Sequence, residues 1–355
     1  MKQFRIAVIA GDGIGKEVIP IGKHVVDVAC EHECEIEWVD LPWSSDFYRE
    51  HGRMMPEDGL VQLRSFDSIY LGAVGDPPDV PDYITLWGLL LPIRKQFDLH
   101  VNVRPVRLMP GIQGPLRNRG PEDIDMLFVR ENTEGEYAGA GGRVHQGTEH
   151  EVALQTSVFS RFNVERVVRY AFDIAQRRRK HLTSITKSNA MQYGMPFWDD
   201  VVNDVAREFP DVEVSHVLVD AAAAAMITKP QTFDVVVGSN LFADILTDLG
   251  GALMGSLGLP PSANIAADPT VPSLFEPVHG SAPDIAGQGI ANPIGTVWAG
   301  AMMLDQLGES DSASRIVQAI EAVCADGSVL TGDLGGSATT VEVGEAIVSA
   351  LRDQN

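Results

Sequence analysis

Asp244 and Asp248, in the segment Asn240-Leu-Phe-Ala-Asp244-Ile-Leu-Thr-Asp248, stand four residues apart after an apolar run. At that spacing two carboxylates share one face of a helix, where like charges oppose folding unless a cation neutralises them. A hard divalent ion such as Mg2+ or Mn2+, held by oxygen ligands, does this; a pair of solvated surface acids is the competing reading. Asn240 stands where it can cap that helix, and a third acid, Asp220, closes the apolar stretch 214–219. Arginines supply the complementary charge. Arg94, Arg104 and Arg130 fall at expected element ends in LLLPIRKQFD, NVRP and LFVREN. Guanidinium groups bind carboxylates bidentately and stay charged when desolvated, so together they suit a dianionic substrate; singly, each is an ordinary surface ion-pair partner. Tyr137, in Arg130-Glu-Asn-Thr-Glu-Gly-Glu-Tyr137, and Lys187, after the apolar run 182–186, are groups that transfer protons near a metal.

Two glycine-rich segments compete for a nucleotide. The turn Gly11-Asp12-Gly13-Ile14-Gly15 comes after a strand-like run, which would let backbone approach a pyrophosphate, but Lys16 occupies the third glycine position of G-x-G-x-x-G. The segment EPVHGSAPDIAGQGIANP is polar, glycine-rich and unlike core. There His279 is suited to a base and Asp284 to a ribose diol, with backbone amides for phosphate; a long structured surface loop is the plainer alternative.

The elements that must carry these residues alternate. Residues 5–10, 66–74, 125–129, 182–186, 212–219 and 233–238 read as strands, and residues 16–30, 56–64, 164–177 and 196–208 as helices, the second opened by Pro56 at its first turn. The run 221–225 reads as packed helix. Such alternation implies a mostly parallel sheet with helices on both faces, and 355 residues exceed one hydrophobic core, so two domains are expected. A net charge of −22, from 27 Lys+Arg against 49 Asp+Glu, excludes a general role on nucleic acid or an anionic membrane. It also means that an anionic substrate needs its arginines gathered in one place. Three cysteines, Cys30, Cys34 and Cys324, fit a reduced, cytoplasmic setting; Cys30-x3-Cys34 lacks the His/Cys partners of a metal site.

Taken together, GDGIGKEV, the stretch 94–105, RENTEGEY, TKSN, SNLFADILTDLGG and EPVHGSAPDIAGQGIANP resemble the β-decarboxylating dehydrogenases, the family of isocitrate and 3-isopropylmalate dehydrogenases. Within it the chain looks closest to the D-malate and tartrate branch, through WSSDFYREHGRMMPEDG and DVPDYITLWG. The resemblance runs nearly end to end. It implies two α/β domains with a parallel/mixed central sheet, residues 1–99 with 257–355 forming the cofactor-side domain and residues 100–256 the substrate, metal and dimerisation domain. It implies a homodimer with shared active sites, Lys187 and Asp220 coming from the second subunit.

By position, the resemblance assigns the substrate carboxylates to Arg94, Arg104 and Arg130, and catalysis to Tyr137, Lys187 and Asp220. Asp220, Asp244 and Asp248 become the ligands of Mg2+ or Mn2+, and a monovalent cation such as K+ is a further cofactor the family allows. The cofactor falls to Glu276, His279, Gly280, Ser281, Ala282, Asp284 and Asn292; the carboxylate of Asp284 favours NAD over NADP, and the turn 11–15 becomes structural. Trp87, in Thr85-Leu-Trp-Gly-Leu-Leu-Leu91, would shorten the pocket for a small substrate. The implied reaction converts D-malate to pyruvate, CO2 and NADH, with tartrate also accepted. The leucines beside Trp87 would equally welcome an isopropyl group, so 3-isopropylmalate is the alternative substrate. A non-catalytic regulatory subunit, the alternative from another class, is disfavoured because every one of these polar residues is present.

Overall fold

In the computed structural model, residues 2–76 and 79–354 are described. Among them run twelve strands: β1 Lys2–Gly11, β2 Cys34–Asp40, β3 Ser68–Ala73, β4 Val101–Arg107, β5 Asp125–Glu131, β6 Gly135–Val144, β7 Val152–Val158, β8 His181–Thr186, β9 Glu213–Leu218, β10 Val235–Gly238, β11 Pro261–Ile265 and β12 Ser273–Pro277. The chain divides into two compact units. One comprises residues 1–99, 105–124 and 251–355, the other residues 100–104 and 125–250.

The first unit carries the strand order β2-β1-β3-β12-β11, parallel except for the antiparallel pair β11–β12. Ile6, Ala7, Val8 and Ile9 are all fully buried, so this part of β1 is covered on both faces, which is why residues 6–9 form a continuous apolar run with no alternation. The helix Gly15–Cys30 packs beside Ile294–Gln306 and Thr340–Arg352, the last opened by a capping box between Thr339 and Glu342. Ala7, Ile9, Trp43, Leu63, Leu71 and Phe97 belong to one buried cluster.

The second unit carries β5-β10-β8-β9 as a parallel set with β4 beside β5, and a separate antiparallel hairpin of β6 and β7. Its helices Arg161–Arg177 and Gly194–Ala206 bury Val167, Phe172, Trp198 and Val201. Asp234, almost fully buried, accepts from Arg178 Nε and the Arg179 backbone amide, each at 2.8 Å.

Local expectations shift in three places. The helix expected at 56–64 is confined to Gly59–Leu63. The stretch 212–219 stops as strand at Leu218, and Asp220 lies in the first turn of the helix Val219–Thr228, which also contains residues 221–225. The hairpin and β11–β12 were not expected, because glycines break the alternation of GEYAGAGGRV and the β11 run is short. Among the described residues no helix is long and apolar enough to cross a membrane.

Candidate active site

Parallel strands bring the residues beyond their C-terminal ends to one edge of the sheet, where open α/β sheets hold their ligands. In the second unit, β5 ends in Arg130-Glu131, β8 leads to Lys187, β9 leads to Asp220, and β10 leads through Ser239 into the helix Asn240–Leu253. Arg130 lies opposite Gly238 in the register of β5 with β10.

That helix is not capped by Asn240. Its start is held by Glu136, whose carboxylate accepts from Ser239 Oγ at 2.9 Å and the Leu241 amide at 3.0 Å. Asn240 is engaged elsewhere: its Oδ1 accepts from Arg130 Nη2 at 2.7 Å and Nε at 3.0 Å, while Nδ2 donates to the Glu134 carbonyl. Asn240 thereby orients a buried guanidinium.

Three predicted residues converge on Asp244. Arg104 Nη1 donates to Oδ1 at 3.1 Å, Arg130 Nη1 donates to the same oxygen, and Tyr137 OH donates to Oδ2 at 3.2 Å. Arg104 is steered by Asn102 Oδ1 at 2.7 Å and Thr247 Oγ1 at 2.7 Å, two residues inside the quoted segments NVRP and SNLFADILTDLGG to which the sequence reading gave no role. Burial pushes the Tyr137 hydroxyl above the ordinary phenol range, and the neighbouring Asp244 charge pushes it further. Tyr137 therefore keeps its proton and is an acid at neutral pH. Burial, and then Asp244, likewise raise Asp248.

These features fit a divalent cation. Two carboxylates, hard oxygen donors, share a helix face, and Asp248 is raised first by desolvation and then by the Asp244 charge, against which Arg104 and Arg130 act only in part. Among the described residues of one chain, however, no group of three or more His, Cys, Asp or Glu side chains converges, so Asp220 does not join Asp244 and Asp248 there. Asp220 instead accepts from Lys187 Nζ at 2.8 Å, and that bond holds its carboxyl below the usual range.

The first unit holds the other predicted residues. Arg94 and Glu276 form a buried ion pair at 2.8 Å, and Asn264 Nδ2 donates to the same Glu276 oxygen at 2.9 Å. Trp87 lies on a π-helical turn, Leu86–Leu90; the residue is 47% exposed, with Lys95 Nζ 4.7 Å from the ring centre. Such turns reset the phase of a helix and recur at functional positions.

On the loop 276–292, His279 shares its Nδ1 hydrogen bond with the Gly280 carbonyl, while its buried Nε2 has no partner among the described residues. Burial holds this imidazole neutral, below the ordinary histidine range. A Cβ added at Gly280 meets nothing within 4 Å among the described residues, and Asp284 is exposed. An orphaned ring nitrogen, open backbone and a free carboxylate fit a dinucleotide. Ser281 is buried, its carbonyl accepting from Ile14 N, and Ala282 takes the left-handed φ of 43°. The side chain of Asn292 is committed internally, donating to Asp333 at 3.0 Å and accepting from Ile294 N at 3.0 Å.

Parallel α/β layers whose strand ends gather arginines, a tyrosine and paired carboxylates define an enzyme of anionic substrates. The chain belongs to the isocitrate/isopropylmalate dehydrogenase family, whose sequence profile matches residues 5–347. It is 53% identical over 359 residues to D-malate dehydrogenase [decarboxylating] of Escherichia coli (strain K12), with 99% of each chain covered. It is 51% identical over 354 residues, again 99% of each, to the probable tartrate dehydrogenase/decarboxylase of Bacillus subtilis (strain 168). Among solved structures it is similar to isocitrate dehydrogenase from Methylococcus capsulatus, with a TM-score of 0.88, 35% identity, and 98% and 99% of the two chains covered. The expected fold class is borne out, and the chain is an oxidoreductase that decarboxylates hydroxy acids oxidatively.

Proposed function

We propose that this enzyme oxidises D-malate with NAD and a divalent cation, releasing pyruvate and CO2, and that it also accepts tartrate. The substrate reading rests on Trp87: a large indole, with Lys95 over its ring on the π-turn that precedes Arg94, would shorten the pocket against a bulky C3 substituent. The names of the relatives, D-malate and tartrate dehydrogenases, support the same choice.

Arg94, Arg104 and Arg130 bind the substrate carboxylates, and Asp244 and Asp248 hold the cation, with Asp220 from a second copy of the chain. When bound, the cation supplies positive charge beside the C2 oxygen, and NAD supplies the hydride acceptor. Lys187, together with Asp220, to which it is paired, helps remove the hydroxyl proton. Loss of CO2 leaves a carbon that must be protonated, and Tyr137, which retains its proton, delivers one. His279, Gly280, Ser281, Ala282 and Asp284 hold the dinucleotide, and the Asp284 carboxylate repels a 2′-phosphate. A homodimer is supported by the hairpin β6–β7, where Val144 and Leu154 are 51% and 62% exposed. The three free cysteines are all buried, in keeping with a cytoplasmic setting.

The test is NADH formation with Mn2+, comparing kcat/KM for D-malate, L-tartrate, 3-isopropylmalate and isocitrate. Preference for D-malate is expected; preference for 3-isopropylmalate would keep the chemistry and refute the role of Trp87. D244N should lower kcat by about a thousandfold or more with the fold intact, and undiminished turnover would remove Asp244 from the site.

A further inference from the structure

The first helix turn after Gly15 hydrogen-bonds to the cofactor loop through the side chain of Glu17. Glu17 accepts from the Gly287 amide at 2.5 Å through Oε1 and from the Gly289 amide at 2.8 Å through Oε2. Gly287 and Gly289 have φ of 81° and 66°, so the carboxylate fastens two successive left-handed corners of the loop. The loop's other end is fastened from the same turn, by Ile14 N donating to the Ser281 carbonyl at 2.9 Å. Between these anchors the Ala282 carbonyl accepts from both Ile285 N and Ala286 N at 3.1 Å, a tight turn that leaves Pro283 and Asp284 exposed. Beneath it Ala282, Ile285 and Ala286 pack on Ile14, Val18 and Ala291. Gln288, lying between the two amides that Glu17 holds, donates to the Asp284 carbonyl at 2.8 Å.

We infer that Glu17 is a positioning residue for the dinucleotide: its carboxylate clamps the C-terminal side of the turn that presents Asp284, and so fixes the carboxylate meant for the ribose. The inference rests on reading residues 276–292 as the cofactor loop. Charge-assisted bonds to two amides are strong enough to hold a glycine-rich segment whose free backbone entropy opposes binding. Glu17 also lies in the first turn of its helix, where any carboxylate favours the helix dipole. That structural role predicts a lower Tm and nothing more.

The two are separated by E17A, E17Q and D284A. The primary readouts are NADH binding to the free enzyme by fluorescence titration, and amide hydrogen exchange of residues 282–291 without cofactor. Loss of both acceptors in E17A should weaken NADH binding about tenfold and speed exchange at Gly287 and Gly289. In turnover the change should fall on KM for NAD, with kcat at saturating NAD held within about twofold. E17Q, whose amide oxygen still accepts one bond, should fall between wild type and E17A; being isosteric, it carries the same comparison if E17A does not fold. A lower Tm with unaltered NADH affinity in the Glu17 variants, while D284A weakens binding, would overturn the positioning role alone. Unaltered affinity in D284A and the Glu17 variants together would overturn the cofactor loop and the inference with it.

Discussion

The segments 11–15 and 280–289 are both rich in glycine, both contain an aspartate, and both invite a phosphate-binding reading from sequence. Their glycines do opposite things. A Cβ at Gly13 would stand 2.0 Å from the Ser281 carbonyl oxygen, and Gly13 has a φ of 51°; a Cβ at Gly280 would meet nothing within 4 Å. Glycine in the turn lets protein approach protein, whereas glycine in the loop leaves backbone uncovered. Gly287 and Gly289 in the loop serve its left-handed corners, so the nucleotide reading rests on Gly280, the glycine with neither a positive φ nor a close neighbour to explain it.

The largest effect should come from closing the gap in the turn. G13A puts a methyl group against backbone and forces an alanine into the left-handed region, costing about 4 kcal/mol together. Either the fold loses that stability, seen as a fall in Tm, or the loop moves off the turn and NADH binding is lost with it. A variant with wild-type Tm and affinity would show that the contact between the two segments is dispensable.

The two aspartates sharpen the contrast. Asp12 is 4% exposed and accepts from the Ser45 amide at 2.8 Å, Ser45 Oγ at 2.9 Å and the Gly75 amide at 2.9 Å. D12A strands three buried donors and should cost about 3 kcal/mol in chemical unfolding. D284A, removing an exposed side chain, should change stability by less than about 0.5 kcal/mol. Equal losses for the two would erase the distinction between a structural turn and a ligand loop.

This division was only half legible in the sequence. The lysine at position 16 argued against a dinucleotide at the turn, and the long polar loop argued for one, but neither revealed that the turn supports the loop. Glu17 and Gly287 are 270 residues apart, and no periodicity couples positions so distant. The same limit hid the Arg94–Glu276 pair, 182 residues apart, in which a residue read as binding substrate meets one read as binding cofactor. Local features fared better. Burial on both faces makes the second half of β1, and β3 and β10, largely apolar runs, and the period of a helix sets Asp244 and Asp248 on one face. Asn240 illustrates the boundary between the two cases. Its residue type announces a helix start correctly, but tertiary structure gives the cap to Glu136 and turns the asparagine towards Arg130.

The smallest expected effect on stability is the most discriminating. Gly280 has no positive φ, and its Cβ position is open, so G280A forces neither strain nor overlap. Its Tm should stay at the wild-type value, with stability changed by no more than about 0.5 kcal/mol. If Gly280 is there so that a dinucleotide can approach the backbone beside His279, the added methyl should raise KM for NAD and leave KM for the hydroxy acid alone. A stable G280A protein with unchanged KM for NAD would mean that open backbone is no guide to where the dinucleotide lies. The contrast between the segments would then rest on Asp12 and Asp284, and not on their glycines.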